Sequence, residues 1–418
     1  MLKHGTFIIL FLFAASGLAQ SGTASPYSFN GLGEISFRGN QINRMMGGLD
    51  IYNDSIHANL NNPASYGTLK LTNYALGINY RSNELSSVEG NEKIATASID
   101  YLAVGIPAGK FGFGFGITPY SSLGYQLEAL DETTAPNKLN RFEGSGGINQ
   151  AFFSVGFPLS KYLTFGATIN YNFGNLTYRN SQFVDGVDLG TFLSSRSSIS
   201  GVSYQFTTNL NIPLKKRHEL TAMFTYIPRA SLVSQNEKAY FTQSLLGNTI
   251  SDVEEIDLSP DGLTETNLMA SENIRYGIGV GKRKKWFLGV QQNLIKSANF
   301  KNNFIEMDNV SYKNGKQLSV GGFFIPNFSS ISSYWKRVVY RFGFRSEQTG
   351  VLVNNYEITD SGMSFGIGLP MNGLSNTNIG FEIGKKGSKN DNSLKETYWA
   401  LRIGFSLNDL WFIKRKYN

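Results

Sequence analysis

The sequence predicts an all-β protein, a transmembrane antiparallel β-barrel of about 14 strands with an N-terminal hatch segment. Three observations predict this fold. The chain is rich in glycine (45), phenylalanine (31) and tyrosine (21), although its mean hydropathy is only −0.19. Apolar residues alternate with small or polar ones along many segments. The connections between these segments alternate between short and long.

The N-terminus predicts export. Residues 1–19 resemble a signal peptide, with Lys3 before an apolar run at 7–15 and a small-residue cleavage site at Gly17-Leu18-Ala19. That run is too short to span a bilayer, and no later run approaches the ~18 apolar residues that a spanning helix needs. A lipid anchor requires a cysteine, and the chain has none. A soluble exported protein or an outer-membrane barrel therefore remains.

Alternation favours the barrel. In 163–174, apolar residues from Leu163 to Phe173 alternate with threonine, asparagine and glycine. Successive side chains of a strand point to opposite faces, so one face is apolar and the other is small and polar. Strands between lipid and a polar lumen require this pattern. The same pattern predicts strands at 71–81, 95–107, 110–121, 148–158, 161–174, 199–213, 218–230, 273–282, 285–297, 318–326, 336–347, 361–371, 376–386 and 395–407.

These strands set the predicted domain organisation. It comprises a signal peptide (1–19), a hatch or periplasmic segment (20–70), the barrel (71–407) and a basic C-terminal tail (408–418). The segment before the barrel either folds into the barrel mouth or forms a disordered periplasmic tail. Short turns are periplasmic in such barrels. We therefore expect both termini in the periplasm and the long, acidic 231–272 connection outside.

The short turns are rich in lysine and arginine. They predict either contacts with the head groups of outer-membrane lipid or a docking face for a periplasmic partner. A nucleic-acid site is not predicted, because these basic residues lie in the short turns and do not form a stripe. The basic turn residues are Lys215, Lys216, Arg217, Lys282, Arg283, Lys284 and Lys285.

No enzyme is predicted. The absence of cysteine and the presence of only three histidines argue against zinc and iron–sulfur sites, and no cofactor motif is present. His57 and His218 have no evident triad partners. Catalytic residues, metal ligands and cofactors are therefore all expected to be absent.

Successive positions of a strand face opposite sides of the sheet, and we call this rule strand parity. Strand parity places several charged residues in the lumen. They form either an internal network that keeps the barrel closed or an anion site for a ligand head group. A cross-strand pair between Glu382 and Arg402 is expected. The predicted lumen residues are Arg275, Arg341, Arg345, Glu382 and Arg402.

Two motifs before the first strand carry a family resemblance. Gly47-Gly48-Leu49 and the hatch motif Asn62, Pro63 and Ala64 resemble the N-terminal segment of the FadL-type outer-membrane transporters. The resemblance implies a fourteen-stranded barrel with a luminal hatch, which moves long-chain fatty acids or other hydrophobic compounds. Segments 25–28, 334–337 and 406–415 are similar to a Bacteroidetes branch that includes PorV-like and Plug-like barrels of the type IX secretion translocon.

Two functions therefore remain open. One is an accessory, plug or partner subunit of the type IX protein secretion translocon, bound to its large barrel subunit. The alternative is a FadL-type transporter that holds a hydrophobic ligand.

Overall fold

The nineteen strands of the described residues form one sheet, which comprises the wall of the protein and one short strand inside it, β1. The computed structural model describes residues 22–87, 90–133, 135–244, 250–305, 307, 309–371, 375–387 and 394–411. The predicted signal peptide, both termini and residues 412–418 of the predicted tail lie outside these ranges. The strands are β1 (Glu34–Ile35), β2 (Thr72–Ser86), β3 (Asn91–Ala108), β4 (Phe111–Asp131), β5 (Lys138–Pro158), β6 (Leu163–Val184), β7 (Leu189–Pro213), β8 (His218–Ile227), β9 (Ala230–Ser244), β10 (Ile250–Glu255), β11 (Glu265–Ala270), β12 (Glu272–Lys282), β13 (Trp286–Lys296), β14 (Val310–Tyr312), β15 (Gly315–Phe324), β16 (Val339–Val353), β17 (Tyr356–Pro370), β18 (Asn376–Gly387) and β19 (Lys395–Asp409).

The sheet closes on itself. The last strand, β19, pairs with β2 from Asp409↔Thr72 to Lys395↔Ser86, which removes both sheet edges. Around the ring the order is β2 to β8, then β12, β13 and β15 to β19, which makes fourteen positions. β9 continues the line of β8 along β7, and β11 continues that of β12. The predicted count of fourteen is confirmed. An open edge would leave backbone groups unsatisfied in lipid.

Burial follows the predicted alternation. On β6, Ile169 and Tyr171 are exposed on the outer face, whereas Asn170 and Asn172 between them are buried in the lumen. The outer face is the one that lipid covers. No helix among the described residues is long and apolar enough to cross a membrane.

The strands extend further at the long-loop end than the sequence predicts. The range 231–272, predicted as a loop, contains β9, β10 and β11, and the hairpins β4–β5 and β6–β7 also run well beyond their predicted limits. The prediction of loops there was wrong. The alternating pattern stops where lipid stops, but the backbone ladder continues into water because hairpin pairing needs no apolar face.

Residues 22–71 run through the inside of the barrel, and we call this segment the hatch. It contains the 3₁₀ turns Pro26–Phe29 and Pro63–Thr68, the strand β1 and one helical turn, α1 (Gln41–Arg44). The Asn40 side chain caps α1 by accepting a hydrogen bond of 2.9 Å from the Asn43 amide. Residues 22–36 contact the wall in the half near the long loops, and residues 52–71 fill the short-turn end.

Candidate functional site

Glycines of the wall form the surface on which the hatch rests at the short-turn end. A Cβ atom added to Gly112 would lie 1.9 Å from the Tyr66 carbonyl oxygen, and one added to Gly114 would lie 2.2 Å from the Tyr66 ring. One added to Gly166 would lie 2.2 Å from the carbonyl carbon of Pro63. The small inner face of β4–β6 is therefore shaped to the hatch backbone.

A second glycine surface lies on the opposite wall. A Cβ atom on Gly366 would lie 2.3 Å from the Met45 sulfur, and one on Gly321 would lie 2.3 Å from the Met46 carbonyl oxygen. The chain leaves α1 through Gly47, whose φ of +72° favours glycine. Because β15–β17 face β4–β6 across the ring, the hatch is held from both sides.

The hatch motif lies at the first of these surfaces. Asn62 and Ala64 are fully buried. The Asn62 side-chain amide donates to the backbone oxygen of Asp50 at 3.0 Å and exchanges hydrogen bonds of 3.1 and 3.0 Å with the Asn209 side chain. Pro63 sits over Gly166, as described above. The motif therefore joins the hatch to itself and to the wall.

Three of the predicted lumen residues meet in one buried cluster. The Glu382 carboxylate accepts from Arg402 Nε at 3.1 Å and from Arg345 Nη2 at 3.4 Å. A third guanidinium, that of Arg44 on the hatch, binds the same carboxylate at 2.7 Å. Strand parity predicted that the wall residues face the lumen. It could not predict Arg44, because the hatch has no periodic pattern.

The other two predicted lumen residues lie elsewhere. Arg275 binds the hatch residue Asp50 at 2.5 Å. Arg341 donates to the Asn378 side chain at 2.9 Å and makes no ion pair within the described residues. The five residues were predicted as one set in the lumen. They lie at three separate places and do not form a single site.

A second buried cluster ties β1 to the wall. Glu34 accepts from Lys386 Nζ at 2.8 Å and lies 3.6 Å from Arg81, which also binds Glu396 at 2.8 Å. Burial by itself would raise the pKa of the Glu34 carboxyl, but Lys386 and Arg81 outweigh it and lower that pKa well below its usual range. Glu34 is therefore an anion at neutral pH.

One strand pair of the barrel is incomplete. β3 and β4 pair only from Ala108↔Phe111 to Leu102↔Ile117, although both strands continue for many residues toward the long loops. Within the described residues, β3 then pairs with β2 alone, while β4 pairs with β5 and, through Ser121 and Ser122, with β1. We call this unpaired half of the β3–β4 contact the seam.

Two bulges border the seam. Asp100 on β3 and Tyr120 on β4 are the extra residues at the register shifts of their strands. A bulge bends its strand and interrupts the ladder. The Tyr120 carbonyl oxygen accepts from the Ser36 amide at 2.9 Å, so the hatch occupies part of the freed β4 edge. Asp100 binds Arg402 at 3.2 Å in the lumen.

A cavity of about 720 Å³ lies between the hatch and the wall, and residues of both seam strands line it. Ile99 and Tyr120 line its seam side, and Arg38 of the hatch projects into it. The Arg38 guanidinium lies 5.7 Å from the centre of the Tyr120 ring and has no ion pair or hydrogen bond in the described part of the chain. Burial lowers the pKa of Arg38.

The two histidines in the described residues, His57 and His218, show no catalytic arrangement. His57 Nδ1 lies 2.6 Å from Asp54 Oδ2, and its Nε2 lies 3.4 Å from the side-chain amide of Asn376. A nucleophile would be needed where that amide lies. His218 contacts the Lys215 carbonyl oxygen at an exposed turn.

The predicted basic turns lie at the short-turn end. Residues 215–217 form an exposed 3₁₀ turn between β7 and β8, and Arg283, Lys284 and Lys285 form the exposed turn between β12 and β13. Arg283 lies 3.0 Å from Glu219, and Lys282 is half-buried at the end of β12. These turns neighbour each other, because β8 pairs with β12.

Solved structures with a similar fold are transporters. The toluene transporter TodX of Pseudomonas putida matches with a TM-score of 0.59 at 13% identity, over 90% of this chain and 99% of that chain. The toluene transporter TbuX of Ralstonia pickettii matches with a TM-score of 0.55 at 11% identity, over 89% and 99%. A FadL homologue of Pseudomonas aeruginosa matches with a TM-score of 0.51 at 12% identity, over 89% and 97%.

These likenesses confirm the predicted resemblance to FadL-type outer-membrane barrels at the level of the fold. The predicted Bacteroidetes branch and its type IX members are not among these three structures. No curated protein sequence matches the chain. The family model described as BamG matches residues 1–418, and because that match runs over the full chain, the protein belongs to the BamG family.

Proposed function

We propose that this protein is an outer-membrane channel that releases small hydrophobic or amphipathic molecules sideways into the bilayer. The observation that carries the proposal is the seam, where β3 and β4 stay unpaired next to the luminal cavity. A molecule that leaves through the seam has to move only β1 of the hatch, which occupies part of the freed β4 edge. The glycine surfaces can hold residues 45–47 and 63–66 of the hatch in place during transport.

The cavity supports an amphipathic substrate. Its volume of about 720 Å³ is within the usual range for small-molecule sites. Arg38 offers a guanidinium with unused donors for an anionic head group, while Ile99 and Ile35 provide apolar surface toward the seam. The similar structures of toluene transporters support a hydrophobic substrate class in general.

A disulfide between β1 of the hatch and β4 of the wall tests this proposal. Ile35 and Ser121 are paired residues of β1 and β4, and the chain has no other cysteine. Paired antiparallel residues lie within disulfide reach. In the I35C/S121C variant, oxidation fixes β1 on the β4 edge. We expect cells that produce it to lose uptake of pyrenebutyrate, followed by its fluorescence, and to regain uptake on reduction.

The matched control is N175C/S198C, a paired position in the β6–β7 hairpin away from the seam. Its oxidation should leave uptake unchanged. Equal uptake by oxidised and reduced I35C/S121C would contradict release through the seam.

A partner-subunit role is the second candidate, as predicted from sequence. It is supported by the fixed hatch, which closes the barrel at its short-turn end, and by the basic turns on one side of that end. The type IX translocon as the specific partner has no support from the similar structures. Copurification of a large barrel subunit in mild detergent would favour this candidate, and recovery of a lone chain would count against it.

A further inference from the structure

The connections at the short-turn end differ greatly in length. The turn between β3 and β4 spans only 109–110, and that between β12 and β13 spans 283–285. The connection between β15 and β16, by contrast, spans 325–338. We call this segment the long turn. It departs from the pattern of tight turns that barrels use at this end.

The long turn is an ordered element. The Ile325 amide donates to the Lys285 carbonyl oxygen at 2.7 Å, which fixes it to the neighbouring turn. The Asn327 amide donates to the Lys336 carbonyl oxygen at 2.8 Å and closes the segment on itself. The Tyr334 hydroxyl donates to the Pro370 carbonyl oxygen at 3.1 Å on the other side.

This ordered segment presents apolar side chains to the outside. Ile331 is 102% exposed, Trp335 is 63% exposed and Phe328 is 45% exposed. Lys284 Nζ lies 4.5 Å from the centre of the Phe328 ring, so the apolar and basic residues form one surface. Grouped exposed aromatic and aliphatic residues are typical of protein interfaces.

Positive charge is concentrated on the same side of the barrel. Segments 214–219, 282–285 and 325–338 belong to neighbouring turns and hold nine lysine and arginine residues against one acid, Glu219. The β3–β4 and β5–β6 turns, which lie far from the long turn around the ring, hold one lysine each, Lys110 and Lys161. The nine cations are Lys215, Lys216, Arg217, Lys282, Arg283, Lys284, Lys285, Lys336 and Arg337.

We propose that the long turn and its basic neighbours form a docking face for an acidic surface of a periplasmic protein, with Ile331 and Trp335 as the apolar contacts. Lipid head groups surround a barrel on all sides, so a lipid role predicts cations on every turn. The one-sided charge instead matches a partner that binds one side. This inference deepens the partner-subunit role and is independent of transport through the seam.

Site-specific photocrosslinking in cells tests the proposal. A benzophenone side chain is placed at Ile331 and, as a control, at Leu159, which is 56% exposed in the β5–β6 turn across the ring. We expect a discrete protein adduct from position 331 and none from position 159. Mass spectrometry of the adduct should place the crosslink beside an acidic stretch of the partner.

Charge variants complete the test. Neutralising Lys215, Lys216, Arg217 and Lys284 to glutamine should lower the yield of the adduct by about tenfold, because rim charges set the rate of encounter. Neutralising Lys110 and Lys161 should leave it unchanged. Heat-dependent mobility on gels verifies that each barrel is folded.

A crosslink to lipid alone, no adduct, or a yield that ignores the charge variants would overturn the docking face. Pyrenebutyrate uptake in the same cells should stay unchanged. The transport proposal and the partner proposal can therefore fail separately.

Discussion

Arg44 of the hatch binds Glu382 of the wall through two hydrogen bonds, Nε to Oε2 at 2.7 Å and Nη2 to Oε1 at 2.9 Å. This bidentate contact joins a segment that precedes the barrel to its next-to-last strand. Arg345 and Arg402 bind the same carboxylate. Glu382 therefore connects the hatch to the closure of the ring.

Removal of the Glu382 charge should destabilise the whole barrel. The E382Q variant leaves three guanidinium groups without their common anion, and we expect a loss of about 3–5 kcal/mol in the free energy of unfolding. Urea titration of the protein refolded into lipid vesicles measures it. The control is E128Q, whose partner Arg141 lies 2.8 Å away at a largely exposed site, where a loss below about 1 kcal/mol is expected. Equal effects of the two variants would contradict a linking role for Glu382.

Gly114 should tolerate alanine only if the Tyr66 ring of the hatch is removed or displaced. In G114A the new Cβ atom would lie 2.2 Å from the Tyr66 ring, so we expect a loss of about 1–3 kcal/mol in stability. In the Y66A background the same change should cost less than about 0.5 kcal/mol, because the clashing ring is absent. The same urea titration gives this double-mutant cycle. Additive effects would show that the ring does not rest on Gly114.

The contact of β1 with the wall should weaken in acid. A carboxyl with a lowered folded pKa contributes stability that is present above its unfolded pKa of about 4.3 and is lost as the pH falls toward the folded value. We therefore expect β1 to stay docked from pH 5 to 8 and to loosen progressively below about pH 4. A fluorophore on I35C reports this change.

The E34Q variant provides the control for other titrating groups. It lacks the charge that Lys386 and Arg81 bind, so its reporter at position 35 should show the loosened state already at pH 7. If E34Q keeps the pH response of the parent protein, Glu34 is not the group that titrates.

Arg38 should determine the preference for anionic molecules. In R38Q we expect the half-saturating concentration of pyrenebutyrate to rise about tenfold, since a hydrogen bond to a charged group contributes roughly 1.5–3 kcal/mol. Uptake of uncharged pyrene should not change. K70Q, at an exposed position of the hatch, is the matched control. An equal loss for both probes would mean that Arg38 only supports the cavity wall.

The sequence predicted the wall well, because lipid imposes a period of two on it. Parity alone placed Arg345, Glu382 and Arg402 inside, and the diagonal Glu382–Arg402 contact follows from the pairing of β18 with β19. The hairpins at the long-loop end could not be predicted in the same way, since water on both faces imposes no such period.

The hatch contacts could not be predicted from the sequence. Arg44, Asp50 and Glu34 look like ordinary charges of a polar segment, and only the fold brings them to Glu382, Arg275 and Lys386. The seam was equally invisible, because Asp100 and Tyr120 lie within segments whose composition is typical of paired strands. A bulge depends on the neighbouring strand as much as on its own residues.

The glycine surfaces have a consequence for engineering. A nanopore made by deleting the hatch would expose two opposing strips of bare backbone, at β4–β6 and β15–β17, to the solution. Its narrowest point would then depend on peptide groups instead of side chains. Its ion selectivity would have to be designed by refilling those strips with residues that the present protein cannot accommodate.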